Sequence, residues 1–137
     1  MINNTYVSEI MTPNPLYVSR EHSVADVARL FDQNNIHHIP VVDNGDLVGM
    51  ISKSDIDRIS YISDYESDPT LTTIYDTLSI NQVMSGKIET IDINDKVKHA
   101  AELLAKGRYH ALPVMKGSEL KGIVTSTDVI EFLIRHF

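Results

Sequence analysis

Residues 37–55 read HHIPVVDNGDLVGMISKSD, and residues 110–128 read HALPVMKGSELKGIVTSTD. Laid on one another at a constant offset of 73, they share His37/His110, Pro40/Pro113, Val41/Val114, Leu47/Leu120, Gly49/Gly122 and Asp55/Asp128. The same offset carries residues 8–64 onto 81–137 without a gap, adding Met11/Met84, Val24/Val97, Ala28/Ala101 and Leu30/Leu103. An internal repeat fixes the architecture before any other feature is read. Copies shorter than about 60 residues are marginal alone. The expectation is that they stabilise one another by packing face to face, which creates clefts between them.

Each copy reads strand, helix, strand, strand, helix, which is an α+β pattern. Val24, Val27, Ala28 and Phe31 fall at i, i+3, i+4 and i+7, the apolar face of a helix beginning near Ser23; Val97, Ala100, Ala101 and Leu104 repeat it. Ser23 with Asp26 makes a capping box, and Gly107 is placed to close the second copy's helix. Ile39–Val42 and Leu47–Ile51, joined by Asp43-Asn44-Gly45-Asp46, read as a hairpin, echoed by Leu112–Met115 and Leu120–Val124 around Lys116-Gly117-Ser118-Glu119. Pro40 and Pro113 cannot donate to a ladder and are expected at a strand's first residues or its edge. A further short strand is expected near Leu16–Val18 and Glu89–Ile91, before each first helix. The last helix of each copy starts after Ser52 or Thr125.

The segments are thus repeat one at 7–62, a connecting segment at 63–79 and repeat two at 80–137. From Tyr61 to Ser79 the chain carries Asp64, Glu66, Asp68 and Pro69, yet also Tyr61, Tyr65 and Tyr75. A solvated linker rarely holds so many aromatics, so part of it is expected to be ordered, as an extension of the preceding helix or as a lid over a cleft.

Composition bounds the function. The net charge of −7 argues against non-specific nucleic-acid binding, which needs a basic surface, and against anionic lipid. No apolar run approaches the roughly 18 residues of a membrane span. The start, Met-Ile-Asn-Asn-Thr, shows no secretory signal. With no cysteine, thiol catalysis and disulfides are excluded. A cytoplasmic protein fits.

Gly49-Met-Ile-Ser52-Lys-Ser-Asp55 and Gly122-Ile-Val-Thr125-Ser-Thr-Asp128 share one order: Gly, two apolar residues, a hydroxyl residue, two more residues, Asp. Each sits where a strand runs into a helix. The glycine admits a ligand or a neighbouring backbone. The helix start offers free N–H groups and a positive dipole end, suited to phosphate. The Ser or Thr hydroxyl adds a donor, and the carboxylate can accept the hydrogens of a ribose diol. Ser52-x-x-Asp55 and Thr125-x-x-Asp128 fit a capping box equally well. Capping and ligand contact both stand, and the two can coexist.

At this point the chain resembles a tandem pair of CBS domains, the unit called a Bateman module, over almost its whole length from about Val7 to Phe137. The marks are Ile10-Met11-Thr12-Pro13, His38-Ile39-Pro40-Val41-Val42-Asp43 and the Gly-to-Asp motif, each echoed in the second copy. That copy departs at Met84-Ser85-Gly86, which replaces Met11-Thr12-Pro13, and at Lys116, which replaces Asp43.

The resemblance implies two βαββα repeats related by pseudo-two-fold symmetry, sheets packed centrally and helices outside. It implies adenosine-type ligands in the clefts, AMP, ADP, ATP or S-adenosylmethionine, as regulatory ligands with no required cofactor. One cleft joins Ser52, Ser54 and Asp55 to Glu89, His110 and Ala111. The other joins Thr125, Thr127 and Asp128 to Leu16, His37 and His38. With Leu16 against adenine, two histidines near phosphate and no acid like Glu89, the Asp128 cleft ranks as the better nucleotide site.

His37, His38 and His110 have an alternative as metal ligands, but no spacing supports it, and no metal is assigned. No triad, nucleophile elbow or phosphate loop is present, so the chain reads as no enzyme. The last helix carries Val129, Ile130, Phe132, Leu133, Ile134 and Phe137. Its apolar residues on more than one face suggest core on one side and a second copy on the other, as the family's habit of dimerising through these helices implies. The favoured function is a homodimeric regulatory, energy-sensing module acting on a partner protein in trans. The alternative is a dimerisation scaffold that binds no ligand.

Overall fold

A computed structural model describes residues 2–65 and 77–137 of the chain. Its elements are β1 (Thr12–Pro13), α1 (Val24–Gln33), β2 (His38–Asp43), β3 (Asp46–Ser52), α2 (Lys53–Tyr65), α3 (Ile80–Val83), β4 (Ile91–Asp92), α4 (Val97–Ala105), β5 (Ala111–Lys116), β6 (Glu119–Thr125) and α5 (Ser126–Arg135). The fold is α+β, as expected. Residues 66–76 of the connecting segment, with Tyr75 and the lid reading, lie outside the described residues, as do the side chains of Tyr61 and Tyr65.

The compact units are cut differently from the repeats. One unit holds Met1–Pro15 and Ile88–Phe137, the other Leu16–Lys87. Each copy's opening segment therefore belongs to the unit that carries the other copy's hairpin. We refer to the first as the copy-two unit and to the second as the copy-one unit.

In the copy-one unit β2 and β3 form the hairpin, with His38 opposite Ser52. Asn44 (φ 51°) and Gly45 (φ 83°) both adopt the left-handed region that a two-residue type I′ turn demands. Pro40 is the third residue of β2; its carbonyl accepts from Val18 N at 3.0 Å, so its missing N–H faces away from β3. The expected strand at Leu16–Val18 shrinks to a single bridge, Val18 to Val41. The bridge uses two bonds, Val18 N to Pro40 O and Val42 N to Val18 O. Val18, Val24, Val27, Phe31, Ile39, Val41, Ile51, Ile56 and Ile80 form the core.

The copy-two unit has a four-stranded sheet in the order β1-β6-β5-β4. Here the expected first strand exists, displaced slightly to Ile91–Asp92, and pairs parallel with β5 from Val114 onward. Pro113 precedes that pairing, which removes the need for its N–H even though β5 is a central strand. Val7, Ile91, Ala100, Leu103, Leu104, Leu112, Val114, Val124 and Val129 form this core.

The exchanged openings are built in. Val7 is completely buried in the copy-two core, and its N–H donates to Asp95 O at 2.8 Å, while Val97 N donates to Thr5 O at 2.9 Å. Ile80, its equivalent, is completely buried in the copy-one core. Thr12 pairs with Ile123, and Ser85 pairs with Met50, the same relation at the offset of the repeat.

Helix ends follow their sequences. Ser23 Oγ accepts from Asp26 N at 3.0 Å and Asp26 Oδ2 accepts from Ser23 N at 3.0 Å, a reciprocal capping box. At the equivalent start, Lys96 provides no side-chain cap. Gly107, at φ 77°, ends α4 with its N–H donating to Leu104 O.

Candidate functional site

Both Gly-to-Asp motifs deliver a strand into a helix, and the structure builds the same arrangement at each helix start. In copy one Ser52 Oγ accepts from Asp55 N at 3.2 Å, and Asp55 Oδ2 accepts from Ser52 N at 3.0 Å. In copy two Thr125 Oγ1 accepts from Asp128 N at 3.1 Å, and Asp128 Oδ2 accepts from Thr125 N at 2.9 Å. Capping is therefore realised at both. Each box satisfies two N–H groups that a helix start would leave unpaired, and a cap of this kind is worth about 1 kcal/mol. It uses one acceptor position of a carboxylate that has roughly four. Asp55 and Asp128 are each only partly buried.

The two starts differ in an ion pair. Arg58 Nη2 donates to Asp55 Oδ1 at 2.5 Å, an ion pair in which the Asp55 side chain remains 26% exposed. At the equivalent place copy two has Glu131, and among the described residues no cation pairs with Asp128. Spacing could have revealed Arg58, since residues three apart on a helix are neighbours. In copy one Ser54 Oγ also lies 2.9 Å from Ser52 Oγ. Thr127 is exposed.

The histidines sit beside the motif of their own copy. His37 O accepts from Lys53 N at 2.8 Å, and His38 lies opposite Ser52 in the hairpin. His110 O accepts from Ser126 N at 3.0 Å, and Ala111, buried, lies opposite Thr125. One unit thus gathers His37, His38, Ser52, Ser54 and Asp55; the other gathers His110, Ala111, Thr125, Thr127 and Asp128. Leu16, exposed, belongs to the copy-one unit, and Glu89, exposed, to the copy-two unit. Each crossed set expected from the resemblance draws on both units.

The glycines serve the fold. Over Gly49 lie Met84 and the carbonyl of Ser85, and over Gly122 lie Met11 and the carbonyl of Thr12. Of the two occupants open in the sequence, ligand or neighbouring backbone, the second fills the space. Among the described residues no group of three or more His, Asp or Glu is placed to hold a metal, and no helix is long and apolar enough to cross a membrane.

Residues 7–61 and 80–135 each match the CBS domain family. Protein MJ1404 of Methanocaldococcus jannaschii is 26% identical over 143 residues, covering 97% of the chain; the chain spans 33% of that protein's length. The CBS domain pair of protein MJ0100, solved in complex with 5′-methylthioadenosine and S-adenosyl-L-methionine, is 25% identical. It superposes with a TM-score of 0.76 over 97% of this chain and 98% of that one. CBSX2, solved in complex with AMP, shares the fold at a TM-score of 0.77 and 24% identity, over 96% and 98% of the two chains.

Proposed function

The chain belongs to the CBS domain family, and from that premise we propose that it is a regulatory module sensing adenosine-type ligands in clefts between its repeats, 7–62 and 80–137. The ligand is AMP, ADP, ATP or S-adenosylmethionine, and the signal passes to a partner protein in the cytoplasm. We assign it no catalysis. The observation that carries this reading is the pair of matched helix starts, each holding a partly exposed carboxylate with only one oxygen engaged in capping. The ligands of the MJ0100 domain pair share an adenosine whose ribose diol suits such an acceptor.

The proposed sets are Ser52, Ser54 and Asp55 with Glu89, His110 and Ala111, and Thr125, Thr127 and Asp128 with Leu16, His37 and His38. Connectivity supports the crossing. Pro13 pairs with Gly122, three residues before Thr125, and Leu16 follows Pro13 by three. Ser85 bridges Met50, two residues before Ser52, and Glu89 follows Ser85 by four. The chain itself tethers each first-strand residue to the strand leading into the other copy's motif.

Titration calorimetry with AMP, ADP, ATP, S-adenosylmethionine and 5′-methylthioadenosine tests the reading. Binding by at least one, weakened tenfold or more by Asp55→Asn or Asp128→Asn, supports it. No binding by any, or binding that neither variant changes, overturns it.

A second reading, a dimerisation scaffold with empty clefts, rests on the exposed Ile130 (55%), Ile134 (66%) and Phe137 (98%) and needs no ligand. Dimerisation through this face is part of both readings. Native mass spectrometry of freshly purified protein separates them, since a retained adenosine compound adds mass under the first alone.

A further inference from the structure

Resting on the ligand reading above, we propose that Arg58 sets the affinity of the copy-one motif by competing with ligand for Asp55, which leaves Asp128 the tighter of the two carboxylates. A ribose diol approaching Asp55 meets a carboxylate with both oxygens engaged: Oδ2 by Ser52 N at 3.0 Å and Oδ1 by Arg58 at 2.5 Å. The same diol approaching Asp128 meets Oδ2 engaged by Thr125 N at 2.9 Å, with no cation on the carboxylate among the described residues. Glu131, at the place of Arg58, carries charge of the same sign as Asp128 and cannot form the pair.

The ion pair is exposed on the arginine side, with Arg58 at 72%, so its displacement costs little. Exposed pairs of this kind change an equilibrium by about two- to fivefold. The effect is also screened by salt. Arg58 is thus a tuning residue, and the asymmetry it creates separates the two motifs in ligand concentration without altering what either one recognises.

The test uses 5′-methylthioadenosine, which carries no phosphate for Arg58 to attract, and the 137-residue chain. Asp128→Asn isolates the copy-one motif and Asp55→Asn isolates the copy-two motif. In the first background Arg58→Gln is expected to raise affinity by about two- to fivefold, more at low salt than at high. In the second, Glu131→Arg is expected to lower affinity by a similar factor. Unchanged melting curves show that each variant folds. If the aspartate variants abolish their sites but Arg58→Gln leaves affinity unchanged or lowers it, the inference about Arg58 falls while the ligand reading stands. If the aspartate variants have no effect, the ligand reading falls and takes this inference with it.

Discussion

Met11 lies directly over Gly122. A Cβ at that glycine would stand 2.5 Å from Met11 Sδ and 2.8 Å from the carbonyl oxygen of Thr12. Met84 and Gly49 repeat the relation, at 2.4 Å to Sδ and 3.0 Å to the Ser85 carbonyl. The shared Met and Gly of the two copies are thus two halves of one contact, made by each copy's opening on the other copy's hairpin strand.

Gly122→Ala is expected to destabilise the protein by about 1–3 kcal/mol, the usual cost of forcing an extra carbon into a packed site. The methionine can swing aside; the paired backbone of Thr12 cannot. Met11→Ala in the same chain should therefore fail to rescue Gly122→Ala. Gly49→Ala, whose nearest carbonyl stands 0.2 Å further off (3.0 Å against 2.8 Å), should cost less. Urea unfolding of the three variants checks the order, and rescue by Met11→Ala would show that the side chain alone sets the clash.

The exchange of openings gives Val7 a role remote from its own repeat. Val7→Ala removes a completely buried side chain from the copy-two core and should cost about 2 kcal/mol. Hydrogen exchange followed by mass spectrometry should quicken in α4 and β5 before it quickens in α1. Faster exchange confined to α1 would place Val7 in its own repeat and contradict the exchange.

Periodicity alone exposed the helices, because a 3.6-residue stripe such as Val24, Val27 and Phe31 is a property of consecutive residues. The hairpins were legible for a similar reason: Asn44-Gly45 prescribes its own turn. The exchange was not legible. Met11 and Gly122 are 111 residues apart, and nothing local distinguishes a glycine facing a ligand from one facing a methionine. The apolar residues of Leu16–Val18 suit a strand, yet only Val18 finds ladder partners, because pairing depends on a strand elsewhere in the chain. At the helix starts, the hydroxyl-to-acid spacing correctly gave the reciprocal bonds. That Arg58 takes the second oxygen of Asp55 follows from a different spacing, the i, i+3 step along α2, which the hydroxyl-to-acid pattern does not contain.

Acid should weaken the α1 cap. The backbone N–H of Ser23 donating to Asp26 holds that carboxyl below its usual 3.8, helped by the Ser23 hydroxyl; burial opposes the shift, and the Arg29 and His22 charges add smaller contributions that lower it. A pKa depressed by folding contributes stability that is fully present above the unfolded value, about 3.8 here, and is lost as pH falls through the folded value. Asp26→Asn should therefore be less stable than the parent at neutral pH, by up to about 1 kcal/mol, and the difference should close below the folded pKa. Thermal melts from pH 7 to pH 2 check this, and a gap that stays constant across the range would rule out the carboxylate as its source.

The outer face of α5 offers the last prediction. Val129 and Phe132 turn into the core, while Ile130 and Ile134, at i and i+4 on the other side, stay exposed, as does Phe137 two residues past the helix end at Arg135. An apolar stripe of that length on a charged, acidic protein is best explained by a partner, and the self-complementary two-fold contact of a homodimer is the commonest solution. Gel filtration with light scattering should give twice the chain mass at high concentration, and a melting temperature that rises with concentration. Ile134→Lys should give a monomer whose melting no longer depends on concentration. Because Ile134 is 66% exposed, the substitution should cost the folded chain itself no more than about 0.5 kcal/mol. A parent protein that stays monomeric at high concentration would remove the dimer, and with it the route by which this face could pass a signal between copies.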